Sequence, residues 1–136
     1  MKVRLRGQSI RFRLTRSEVT ALGDGRLVSD RTVIGPAHDI ALGLRTDADA
    51  DRVTPRSENG LLVYALPAAS VARLAGSDAV GFAADVEVAN GLTLHVLIEK
   101  DFVCLDNPHH EPQDDAYPNP SLNCTPPASP AVISEP

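Results

Sequence analysis

Residues 9–23 read SIRFRLTRSEVTALG, and the hydrophobic period changes halfway along. Ile10, Phe12 and Leu14 alternate with Arg11 and Arg13, the pattern of a strand with one buried face. From Thr15 the spacing becomes helical. Thr15 and Glu18 form the T-x-x-E pattern of a capping box, in which hydroxyl and carboxylate each satisfy an orphan backbone N–H. Val19 and Leu22 follow on one helical face, and Gly23 is placed to end the helix in the left-handed region. About two turns of helix are not stable alone, so this one must pack onto a sheet.

The same plan returns in residues 62–76, LVYALPAASVARLAG. Leu14, Val19, Leu22 and Val28 reappear 52 residues on as Leu66, Val71, Leu74 and Val80. Phe12 falls on Tyr64, and Thr15 falls on Pro67, which is acceptable where a first-turn N–H has no helical partner. Ile40, Leu42 and Leu44 map onto Leu92, Leu94 and Val96 at the same offset, and the Gly7-Gln8 turn maps onto Asn59-Gly60. This predicts two ββαββ repeats, residues 1–48 and 53–99. The expected fold is α+β: a strongly curved antiparallel sheet or small β-barrel, with two short helices capping it. Neither half is large enough to hold a core alone, so residues 1–105 are read as a single domain.

The hairpins can be registered. Gly7-Gln8 as a two-residue type II′ turn pairs Leu5 with Ile10 and Val3 with Phe12. It also sets Arg4 opposite Arg11 and Lys2 opposite Arg13, an unfavourable arrangement unless an anion covers it. In the last hairpin, a three-residue loop Ala89-Asn90-Gly91 pairs Val88 with Leu92 and Val86 with Leu94, and it places Asp85 opposite His95. With no nucleophile near it, that Asp–His pair reads as a cross-strand surface contact. His38 falls in a loop and reads as a surface residue.

Charge is unevenly spread. The chain carries −5 overall, yet residues 1–16 contain Lys2, Arg4, Arg6, Arg11, Arg13 and Arg16 and no acid. A basic strand face of this kind suits an anionic ligand or an acidic protein segment, the chain's own or a partner's. Arginine strands without interleaved aromatics, on an acidic chain with no Trp, argue against nucleic acid. No phosphate loop, dinucleotide fingerprint, nucleophile elbow or HExxH occurs, so the reading is a non-enzymatic binding module. No stretch has membrane-spanning length or a signal-peptide core, and the expectation is a cytoplasmic protein with reduced thiols.

Beyond Leu105 acids and prolines dominate and large aliphatics are few. Residues 106–120 are expected to form an acidic, proline-rich strap on the domain, with the Tyr117 ring against its surface and Asp114 and Asp115 near the Arg4/Arg11 stripe. Lys2, Arg4, Arg11, Arg13, Asp114, Asp115 and Asn119 are accordingly the candidate binding residues. Residues 121–136 are expected to be a disordered tail. The expected protein has no cofactor. The alternative is a zinc or iron site built from Cys104, His109, His110 and Cys124, although C-x4-H-H-x13-C matches no compact zinc knuckle.

Three blocks, the opening MKVRLRGQSIRFRLTRSEV, IEKDFVCL and DAYPNP, together resemble a family of small uncharacterised bacterial proteins. The resemblance covers both ends of residues 1–120. It implies no assigned activity and no catalytic residues, and it directs attention to Arg4, Arg11, Arg13, Glu99, Lys100, Asp101, Cys104, Asp115 and Asn119. The His109-His110 pair lies outside the pattern.

Overall fold

A computed structural model describes residues 1–102 and 115–118. In chain order these form β1 (Lys2–Arg6), β2 (Ser9–Leu14), α1 (Arg16–Gly23), β3 (Val28–Gly35) and β4 (His38–Asp47). The second half forms β5 (Thr54–Glu58), β6 (Leu61–Pro67), α2 (Ala68–Gly76), β7 (Gly81–Ala89) and β8 (Leu92–Lys100). The order ββαββ thus occurs twice. The predicted barrel does not form: the strands make two four-stranded sheets, β1-β2-β8-β7 and β3-β4-β6-β5.

Each sheet takes one hairpin from each half of the chain, and the hairpins meet along a central parallel pair, β2 with β8 and β4 with β6. Both sheets are therefore mixed, in contrast to the antiparallel sheet that the sequence predicts. The reason lies in the helices. Each one carries the chain from an inner strand of one sheet into a hairpin of the other, so a half cannot pair all four of its own strands.

Register shows where one sequence offset fails. Phe12 pairs with Ile98 across the first seam, and Tyr64 pairs with Leu44 across the second. Phe12 and Tyr64 are 52 residues apart, but Leu44 and Ile98 are 54 apart. Val28, opposite Leu44, therefore corresponds to Phe82, opposite Ile98, and not to Val80. Burial agrees: Val28 is 7% exposed and Val80 is 50% exposed. Two additional residues between Leu74 and Phe82, relative to Leu22 and Val28, shift the second hairpin, so Ile40, Leu42 and Leu44 correspond to Leu94, Val96 and Ile98.

The core lies between the inner sheet faces and the helices. The Phe12 and Tyr64 rings meet edge to face with centroids 5.7 Å apart, joining the two sheets. Val19 and Leu22 of α1 and Val71 and Leu74 of α2 complete this core. Each such side chain contributes about 1.5–3 kcal/mol on burial. The predicted capping box on α1 is present: Thr15 N–H donates to Glu18 Oε1 at 2.9 Å, and Glu18 N–H donates to Thr15 Oγ1 at 3.4 Å. The helix does not end on a left-handed Gly23. Asp24 caps it, and Gly25, at φ +80°, makes the turn.

The first hairpin has the predicted register throughout. In the last, Val86↔Leu94 and Asp85↔His95 form as expected, but Ala89 pairs with Leu92 and Val88 is the bulged residue. The β3–β4 hairpin is irregular at the matching place, between Val33 and Gly35. Among the described residues, no helix is long and apolar enough to cross a membrane.

Candidate anion-binding face

The outward side chains of the first sheet form rows across its strands. Lys2, Arg13 and Glu99 make one row; Arg4, Arg11 and Leu97 make the next; Arg6, Ser9, His95 and Asp85 make the third. Two facts produce this grid. The Gly7-Gln8 turn fixes β1 against β2, and the parallel seam then sets Glu99 beside Arg13. A groove of about 190 Å³ runs over the basic half of the face, lined by Lys2, Val3, Arg4, Arg11 and Arg13. The four predicted basic residues are thus brought together.

Carboxylates moderate this charge. Glu99 Oε1 lies 3.0 Å from Arg13 Nε and 3.4 Å from Arg11 Nε, so one carboxylate serves two guanidinium groups. Lys2 Nζ lies 3.4 Å from Asp101 Oδ2. Charge and burial separate these cations: the side chains of Lys2 and Arg13 are about half exposed, whereas those of Arg11 and Glu99 are largely covered. An entering anion would meet Lys2 and Arg13 as exposed donors and Arg11 as a largely covered one.

Residues 115–118 pack against Phe102 and the start of α1. Phe102 and Tyr117 form a parallel bridge, and Tyr117 N–H donates to Asp101 O at 2.8 Å. Ala116 is buried, and the Tyr117 ring packs 5.9 Å from that of Phe102, with Lys100 Nζ 4.9 Å from its centroid. Burial pushes the Tyr117 hydroxyl up from its ordinary pKa. Asp115 sits at the N-terminus of α1, away from its expected place on the arginine stripe. Its backbone carbonyl accepts from Arg16 N–H, and its carboxylate accepts from Ser17 N–H and from the Ser17 hydroxyl. The Ser17 hydroxyl, followed by that of Thr15, holds the Asp115 carboxyl below its usual range. A helix N-terminus with free N–H groups favours such an anion.

Sequence reasoning from charge alone passed over Glu99 and Asp101, which the resemblance had marked as residues of interest. Lys100, between them, points inward. It is 7% exposed, and its Nζ donates to Ser77 O at 2.9 Å, just past the end of α2. Thr46, 54 residues earlier, donates its hydroxyl to Leu22 O near the end of α1 at 2.7 Å. Glu99, Lys100 and Asp101 therefore serve the arginines, the helix end and Tyr117 respectively.

Asp85 Oδ1 and His95 Nδ1 lie 2.8 Å apart on the surface, as the register predicted. His38 is exposed, with its Nδ1 2.8 Å from Pro36 O. Cys104, His109, His110, Cys124, Asp114 and Asn119 lie outside the described residues, as does the 121–136 tail. Among the described residues, no group of three or more His, Cys, Asp or Glu side chains could hold a metal ion.

No curated protein and no solved structure matches the chain. A family model does match, over residues 1–121, and its description is a family of unknown function (DUF7009).

Proposed function

The chain belongs to this family of unknown function, and from that premise we propose that it is a binding module whose basic strand face holds an anionic ligand. The groove over Lys2, Arg4, Arg11 and Arg13 carries the reading. Four cations of two adjacent strands converge there, and in register Arg4 stands directly across from Arg11. Like charges so placed repel. A bound phosphate or carboxylate relieves that repulsion and gains charge-assisted hydrogen bonds from guanidinium groups suited to bidentate contact. The matching registers of the two sheets also support reading the halves as an internal duplication, with the basic face developed on one sheet.

Calorimetric titration of the full chain with inorganic tripolyphosphate tests the function. Binding is expected to weaken between about 0.01 M and about 0.1 M salt, as the screening length falls from about 30 to about 10 Å. The double variant Arg4→Gln/Arg11→Gln is expected to lose roughly tenfold or more in affinity, the effect of losing one or two charged hydrogen bonds. Binding that neither salt nor this variant alters would overturn the proposal.

A further inference from the structure

The two sides where the edge strands of one sheet face those of the other are not alike. On one side β5 and β7 approach each other. On the corresponding side, between β1 and the β3–β4 hairpin, a cleft of about 200 Å³ stands open, lined by Val3, Leu5, Asp30, Thr32, Ile40 and Leu42. It lies on the inner side of β1, opposite the basic groove, and shares only Val3 with it.

The residues that differ between the sides suit this opening. Register makes Asp30 and Thr32 of β3 the counterparts of Ala84 and Val86 of β7: all four stand on core-facing rows, opposite Leu42, Ile40, Val96 and Leu94. Val86 is 5% exposed, and Asp30 and Thr32 are both exposed. On β1, Leu5 also occupies a core-facing row, paired with the buried Ile10, yet it is 56% exposed. The cleft therefore combines four aliphatic side chains with one carboxylate and one hydroxyl. That is the composition of a small-molecule site: apolar walls for affinity and few polar groups for orientation.

We propose that this cleft binds a small amphipathic cation, its hydrocarbon body against Val3, Leu5, Ile40 and Leu42 and its ammonium head on Asp30 and Thr32. Size supports the class, since an apolar cavity of about 150 Å³ accommodates benzene and this cleft is somewhat larger. Charge sets the polarity of the head group: Asp30 is the charged residue among the six lining the cleft.

The test is an amide-resolved NMR titration of the full chain with phenethylammonium, and with hydrocinnamate as its charge-reversed counterpart. Phenethylammonium is expected to shift the amides of Val3, Leu5, Asp30, Thr32, Ile40 and Leu42 at millimolar concentration, and hydrocinnamate is not. Asp30→Asn is expected to weaken binding roughly tenfold, the effect of losing one charged hydrogen bond. Asp30 is exposed on an edge strand, so that variant keeps its core. Arg4→Gln/Arg11→Gln should leave this binding unchanged, which separates the cleft from the anion-binding face. Equal response to both probes, no localised response to phenethylammonium, or unaltered affinity in Asp30→Asn would each overturn the proposal. Asp30 would then serve only as an inward-pointing charge that protects the β3 edge from pairing.

Discussion

The two sheets share one strand arrangement but treat charge differently on their outer faces. In the second sheet each arginine has its own acid: Arg31 with Asp39, Arg45 with Glu58 at 2.9 Å, and Arg56 with Asp47 at 2.5 Å. In the first sheet Arg11 and Arg13 share Glu99. The inner strands make the contrast sharper. At the positions of Arg11 and Arg13, the second sheet has Val63 and Ala65, which are 0% and 1% exposed. Arg4, by contrast, has an arginine counterpart, Arg56, which that sheet pairs with Asp47. The fold thus tolerates an apolar, ion-paired outer face at the same positions. The basic face is a property of one sheet and not a requirement of the architecture.

Three experiments bear on this comparison. The largest effect is expected where the sheets are equivalent. Phe12→Ala and Tyr64→Ala each remove one ring of the pair joining the sheets, and each should destabilise by about 3–5 kcal/mol in urea unfolding. Similar losses would support a core shared evenly by the two sheets; a much smaller loss for one ring would show that its sheet holds together without the other.

A smaller effect separates the outer faces. Glu99→Gln removes the negative charge shared by Arg11 and Arg13 and should raise tripolyphosphate affinity about two- to fivefold at low salt, corresponding to an ion pair of roughly 0.5–1 kcal/mol. Glu58→Gln, its control on the second sheet, should not change that affinity. Equal gains in the two variants would mean that net charge, and not the face, governs binding.

The smallest effect concerns pH. The Asp115 carboxyl is held below its ordinary value of 3.8 by the Ser17 hydroxyl, and Asp47 is similarly lowered, first by Asp49 N–H and then by Arg56. A depressed folded-state pKa gives stabilisation that is full above the unfolded value and lost as pH falls through the folded one. Acid titration should therefore weaken the contact between Asp115 and α1 only below about pH 4. Tyr117 and Ser17 resonances report it, and Asp115→Asn should remove that acid transition while leaving the one at Asp47. Persistence of the Ser17 transition in Asp115→Asn would contradict the assignment.

Local chemistry was legible in the sequence, and long-range assembly was not. The Gly7-Gln8 turn settles the register of β1 and β2, because a two-residue loop leaves no freedom and alternation fixes the faces. The Thr15–Glu18 box is similarly self-contained. The parallel seams carry no such local signal, since their partners lie 86 residues apart in the first sheet and 20 apart, with β5 between them, in the second, and the barrel expectation failed at that point. The change of offset from 52 to 54 was hidden by composition: with aliphatic residues on alternate positions, a shift of two still sets apolar residues opposite one another. The basic half of the candidate face was readable from charge alone. Its acidic half required knowing that Glu99 lies beside Arg13, and the position of Asp115 required knowing that it packs at the N-terminus of α1.

Exchange of hairpins between the halves has a consequence for the order in which the protein is made. β2 finds its inner partner only when β8, from Ser9↔His95 to Leu14↔Lys100, has been synthesised. At about 5–20 residues per second this leaves the edge of the first hairpin open for roughly 4 to 17 seconds. Its alternating arginines are a natural guard for that interval, because a strand edge carrying repeated positive charge resists pairing with its own kind on neighbouring nascent chains. The residues that line the groove in the finished protein can thus act earlier as gatekeepers of its assembly.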